Sequence, residues 1–133
     1  MASELKIGMV LHLFCNFTAP QKYNFLVLVC LNPKPLLLLI NSKVNEFTLI
    51  QPRLRQCHIA ISAAVNDILG HESFIDCTEA CSFEFDELNE RLRTDNRVHV
   101  GDVSPEDIKA IRNAIAESPL IVSRQKQWIL DSL

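Results

Sequence analysis

Phe25-Leu26-Val27-Leu28-Val29-Cys30-Leu31-Asn32-Pro33-Lys34-Pro35-Leu36-Leu37-Leu38-Leu39-Ile40 is the stretch that decides the fold. It is the most hydrophobic region of the chain, yet Asn32-Pro33-Lys34-Pro35 divides it into two runs far shorter than the roughly 20 apolar residues a membrane helix needs. Near-continuous Leu, Val and Ile over so few residues fits a strand buried on both faces or lining a barrel interior. Two strands, at 25–31 and 36–40, joined by a proline-bearing turn, therefore form the expected centre of a sheet.

Outward from that centre, residues 7–14 read as a first strand with Gly8 near its start, and 16–23 as a polar loop containing Pro20. After Asn41-Ser42, residues 44–50 read as a more exposed strand and Pro52 breaks the pattern. Residues 51–56 form a loop bearing Arg53 and Arg55. The alternation of Cys57, Ile59 and Ile61 with polar or small residues predicts a strand at 57–62. Residues 63–69 read as a single helical turn, a longer helix from about Cys57 being the alternative. Short β segments at 74–77 and 81–85, a helix at 86–93 and a last strand at 97–100 follow.

Ser104-Pro105-Glu106-Asp107 is the clearest local signal. It combines a capping hydroxyl, proline at the first helical position and two carboxylates where the helix dipole favours them. The helix it starts has Ile108, Ile111 and Ile115 on its apolar face and is closed by Ser118-Pro119; Ser123 is placed to cap a terminal helix bearing Trp128, Ile129 and Leu130. The fold expected is mainly β with C-terminal helix (α+β): one domain over 1–133, a small mostly antiparallel β-barrel in 1–100 and a helical portion in 104–133.

At 133 residues and 48% hydrophobic, the chain can bury one sizeable core, and three glycines argue against a glycine-rich phosphate loop. Net charge is −3, unevenly spread: residues 1–70 carry six Lys or Arg against three acids, and 71–133 seven against thirteen. The first part permits a modestly basic face toward a polyanion. Cys15, Cys30, Cys57, Cys77 and Cys81 are an odd set lying mostly in apolar runs, as reduced core thiols of a cytoplasmic protein do. The first 17 residues lack the basic start and cleavage site of a signal peptide, and no membrane contact is expected.

Cys57, His58, His71, Cys77 and Cys81 lack the paired spacing of a zinc site, so neither metal nor cofactor is expected. A Cys–His nucleophile is disfavoured because Cys57 and His58, the sole adjacent pair, point to opposite faces of a strand. The acids from Glu72 to Glu90 read as a solvated face. One set remains: Lys22, Asn24, Asn41, Ser42, Lys43, Arg53, Arg55 and His58, which lie at strand ends and would contact a phosphodiester backbone if the hairpins gather them.

Lys6-Ile7-Gly8-Met9-Val10, the run Phe25–Val29 with Asn32, and residues 101–118 together resemble the MazF/PemK-like toxins. In that family they would correspond to an opening Lys-x-Gly-Asp-Val, a strand after Arg-Pro, and the last loop and helix. The resemblance implies a compact SH3-like barrel, a homodimer and metal-independent endoribonuclease activity. It puts Asn24 and Asn41, with Ser42 adjacent, at catalytic positions and gives the strand-end cluster a context, in which Arg53 joins them as an expected catalytic residue and Lys22, Lys43, Arg55 and His58 are the expected RNA contacts. Met9 stands where the family has Asp, and Asn24 where it has the catalytic Arg. That chemistry needs a cation or strong donor against developing negative charge. Either Lys22, Arg53 or Arg55 substitutes, or the domain lacks nuclease activity. The alternative reading is a non-catalytic interaction module of the same fold, from a phage, plasmid or defence locus, that binds a protein partner such as an antitoxin.

Overall fold

Alternation along the apolar run sets the architecture. In the computed structural model, which describes residues 5–17, 21–41, 57–61, 65, 69–70 and 73–133, the two runs are neighbouring strands whose side chains enter two separate cores. Strands β1 (Met9–Cys15), β2 (Lys22–Cys30) and β3 (Leu36–Asn41) form an antiparallel meander. Further strands are β4 (His58–Ala60), β5 (Phe74–Asp76), β6 (Cys81–Ser82) and β7 (His99–Asp102). The order is β4-β5-β3-β2-β1-β7, with β6 also paired to β3, and every pairing is antiparallel.

Among the described residues of 73–133 there are three helices: α1 (Phe85–Thr94), α2 (Pro105–Glu117) and α3 (Ser123–Ser132). Leu88 and Leu92 of α1 pack with Leu11, Leu13, Leu26, Leu28 and Leu37 on one face of the sheet. Ile111 and Ile115 of α2 and Ile129 of α3 pack with Val10, Val27, Val29, Leu38 and Ile40 on the other. Successive side chains of a strand point to opposite faces, so a strand covered on both sides must be apolar at consecutive positions. That is why 25–31 and 36–40 show no alternation. The structure thus has the α+β class and antiparallel sheet expected from the sequence. Among the described residues β4 and β7 end the path of strands and do not pair.

The helix start at Ser104 holds in full: the Ser104 hydroxyl accepts from Asp107 N (3.1 Å) and the Asp107 carboxylate accepts from Ser104 N (3.1 Å), a reciprocal capping box. The two terminal helices then stabilise one another's ends. Arg112 of α2 donates to Leu130 O (2.7 Å) and Leu133 O (3.0 Å), and Lys126 of α3 donates to Ser118 O (2.7 Å), so each cation meets carbonyls the partner helix leaves unpaired. Gly8 has φ of +95°, a conformation that L side chains rarely adopt, where the chain turns into β1 between Leu28 O and Val103 N.

Several boundaries differ from the sequence reading. The loop expected at 16–23 is shorter, because Lys22 and Tyr23 already pair with Cys15 and Phe14 in the β1–β2 hairpin. Phe85 begins α1 instead of ending a strand, and the last strand lies at His99–Asp102. Ser123 is the first residue of α3, whose N-cap is Val122 without a side-chain hydrogen bond. Val65 and Leu69 are helical and buried. The strand expected at 44–50, the break at Pro52, and Ser42, Lys43, Arg53 and Arg55 lie outside the described residues.

Candidate nucleic-acid interface

Of the strand-end residues singled out in the sequence, Lys22, Asn24, Asn41 and His58 are described. The β2–β3 ladder ends with Phe25 opposite Ile40; Asn24 lies one residue beyond it with the parity of Leu26, and Asn41 pairs with Phe74 of β5. Asn24 is only 9% exposed, and its side-chain amide donates to Lys22 O at 3.2 Å. Lys22 is exposed. His58 does not join them, since β5 separates its strand from β3.

His58 belongs to a cluster of its own. Its Nε2 lies 3.6 Å from Asp76 Oδ1, which also accepts from Thr78 N (2.8 Å) and Thr78 Oγ1 (2.5 Å). Burial by itself raises the Asp76 carboxyl, but the hydrogen bonds from His58 and Thr78 outweigh it and hold the group below the ordinary carboxylate range. Asp76 is a partner the sequence reading missed. Cys57, which precedes β4, packs in the core, its Sγ donating to Ser118 Oγ at 3.8 Å.

All five cysteines are buried free thiols. Burial pushes Cys77 and Cys81 up to about 12, with nearby Asp76 and Glu79 adding to the effect, so neither is a thiolate at neutral pH. Among the described residues no group of three or more His, Cys, Asp or Glu is placed to hold a metal ion.

A different constellation stands on the other face of the same sheet end. In the β1–β2 hairpin His12 is opposite Phe25 and Phe14 opposite Tyr23, so the four rings form one row. Ring centroids are 4.6 Å apart for His12–Phe25, nearly parallel at 25°, 5.2 Å for His12–Tyr23 and 5.4 Å for Phe14–Tyr23. Cross-strand aromatic pairs of this kind stabilise a hairpin and hold each other's rotamers. Despite this, Tyr23 remains 63% exposed and Phe14 41%.

Three of the rings, His12, Phe14 and Tyr23, form with Leu13 one wall of a cleft of about 740 Å³, completed by Arg91 and Thr94 at the end of α1 and by Asp95, Arg97 and Val98 in the segment that leads to β7. His12 N donates to Val98 O (2.8 Å), which ties that segment to the rings. Its cations are balanced locally. Arg91 pairs with Glu87 (3.1 Å), Arg93 with Glu90, and the Arg97 guanidinium takes both oxygens of Asp95 (3.1 and 3.2 Å). Arg97 correspondingly lowers the Asp95 carboxyl below its usual range.

Such a cleft offers flat faces for stacking, two guanidinium groups for an anion and an imidazole for proton transfer, all within the usual size range of a ligand pocket. The sequence held one signal for it: ring residues at alternate positions, His12 and Phe14, then Tyr23 and Phe25. Assigning residues 16–23 to a loop hid the pairing. No family model matches the chain, and neither the curated proteins nor the solved structures searched contain a match.

Proposed function

We propose that this protein is a toxin-like, RNA-directed domain of the MazF/PemK kind, and that it holds single-stranded RNA against the exposed ring row of the β1–β2 hairpin. The observation that carries the reading is the row itself: Phe14 and Tyr23 are exposed, mutually oriented and bordered by Arg91 and Arg97. Unpaired bases stack on aromatic faces whatever their sequence, each contributing about 1–3 kcal/mol, whereas a duplex hides those faces. The SH3-like barrel of such toxins is part of the same proposal. It is supported by the antiparallel meander and by two irregularities, in β1 at Val10/Leu11 and in β2 at Leu28/Cys30, which bend and coil a sheet.

The position at which the resemblance expects a catalytic Arg is occupied by Asn24, turned inward and donating to Lys22 O. A neutral amide in that setting supplies no cation for the charge that develops during phosphodiester cleavage. Binding is therefore the activity proposed, with the homodimer and cytoplasmic setting of such toxins as its context. The ion pairing of both arginines of the cleft favours a second reading, in which the rings dock an antitoxin or another protein instead of a polyanion.

The test is a titration of labelled single-stranded RNA with the wild type and with Phe14→Ala/Tyr23→Ala, run in EDTA and followed for both binding and cleavage. The proposal expects binding that the double variant weakens at least tenfold without loss of fold, on the scale of one lost stacking contact. No binding of any single-stranded RNA by the wild type sinks it and leaves the protein-docking reading.

A further inference from the structure

A second cleft adjoins the first. It has a volume of about 720 Å³ and is lined by Leu92, Arg93, Asn96 and His99 together with Thr94, Asp95 and Arg97, the last three of which also line the ring cleft. The two cavities are thus the two sides of one ridge, whose crest is the Arg97–Asp95 pair. Their chemistry differs. The ring cleft has Phe14 and Tyr23 for a base, and the second cleft has no aromatic carbocycle but an imidazole, a carboxamide and the guanidinium groups of Arg93 and Arg97. His99 Nε2 sits 3.2 Å from Asp102 Oδ1, so the carboxylate orients the imidazole from β7.

We infer that one RNA strand crosses this ridge, with a base stacked on Phe14 and Tyr23 and the adjoining nucleotide seated by its ribose and phosphate against Asn96 and His99. The inference rests on the RNA-directed reading and adds to it a minimum length and a direction across the surface. Arg97 is the group between the two seats. Its side chain is 85% exposed and its partner is Asp95, and an ion pair between side chains so open to water adds little to stability. A phosphate oxygen pair can take the planar guanidinium in the same forked geometry, so the internucleotide phosphate displaces Asp95 at small cost. The Asp95 carboxylate, still held by Arg97 N (2.9 Å), and the Thr94 hydroxyl, which donates to Glu90 O (2.8 Å), then lie as acceptors where a ribose 2′-hydroxyl passes, which gives the site a preference for RNA over DNA.

Two linked seats have a consequence that one seat lacks. Once the first nucleotide is bound, the second binds as an intramolecular event, so affinity rises in a step between a mononucleotide and a dinucleotide. The experiment is competition of uridine 3′-monophosphate, the dinucleotide UpU and the trinucleotide UpUpU against a labelled single-stranded RNA. It uses the full chain as wild type, His99→Ala and Tyr23→Ala. UpU should bind about tenfold or more tighter than the mononucleotide, and His99→Ala should abolish that step while leaving the mononucleotide unchanged. Tyr23→Ala should weaken all three competitors. Thermal unfolding of each variant shows that the fold is retained.

A wild type that binds RNA but shows no step, or a step that survives His99→Ala, overturns the two-seat path and leaves RNA binding standing. A wild type that binds no RNA overturns both, as does capture of a peptide without any nucleotide binding. Equal affinity for UpU and its deoxy counterpart removes the assignment of Asp95 and Thr94 to the 2′-hydroxyl.

Discussion

The two ends of β2 contrast sharply. From Leu26 to Cys30 every residue is buried, since α1 covers one face of the sheet and α2 and α3 the other. At Lys22 and Tyr23 the same strand, held in the same hairpin with β1, is exposed. Large apolar rings continue past the point where the helices stop. At the covered end, side chains hold the fold together and have no room for a ligand. At the open end the rings pack on one another, with Phe25 also against the core, while Phe14 and Tyr23 keep exposed faces for a partner. Burial separates a stabilising role from a binding role where residue type does not.

The largest break in this comparison comes from the covered end. Leu28→Ala removes a fully buried side chain from the core beneath α1 and should destabilise the protein by about 2–5 kcal/mol, read as a lower denaturant midpoint. Tyr23→Ala, at the open end, should leave unfolding nearly unchanged, within about 0.5 kcal/mol, as exposed substitutions usually do. It should nevertheless lower RNA affinity roughly tenfold or more, the value of one stacking contact. If Tyr23→Ala unfolds the protein as readily as Leu28→Ala does, the two ends are not functionally distinct.

Salt dependence sharpens the contrast further. The cleft holds Arg91 and Arg97, each already paired with an acid, so binding should depend on stacking more than on charge. The plot of log affinity against log salt should have a slope of roughly −1.4, that of two phosphate contacts to a single strand. A much steeper slope would place the RNA on a basic surface elsewhere in the chain.

How much of this was legible in the sequence follows from the same contrast. Burial on two faces leaves a mark, a continuous apolar run, and 25–31 with 36–40 announced the central strands on that basis. Local capping chemistry leaves one as well, and Ser104-Pro105-Glu106-Asp107 placed α2 to the residue. The ring row left a fainter mark, because Tyr23 and Lys22 follow a polar, proline-bearing loop and their pairing with Phe14 and Cys15 is a contact across the hairpin. The same holds for His58 and Asp76, brought together by β4–β5 pairing from positions far apart in the chain. Asn24 was read as a strand-end donor. The strand begins at Lys22 and not at Phe25, so Asn24 lies within it and its parity with Leu26 turns it inward.

The smallest effect concerns that His58–Asp76 cluster. Because Asp76 is held below its unfolded value, the unfolded chain binds a proton more readily than the folded one as pH drops. The stability it contributes is present above roughly pH 4 and is lost as pH falls through its folded value. Asp76→Asn should flatten that part of the stability profile below about pH 4, measured by denaturant unfolding, and leave RNA binding at neutral pH unchanged.

The separation of a folding end from a binding end is tested most directly by backbone NMR of the labelled protein titrated with a short single-stranded RNA. The shifts that move should be those of residues 12–14, 23–25 and 91–99, with α2 and α3 still. Shifts concentrated in α2 and α3, or none at all at saturating RNA, would contradict the account.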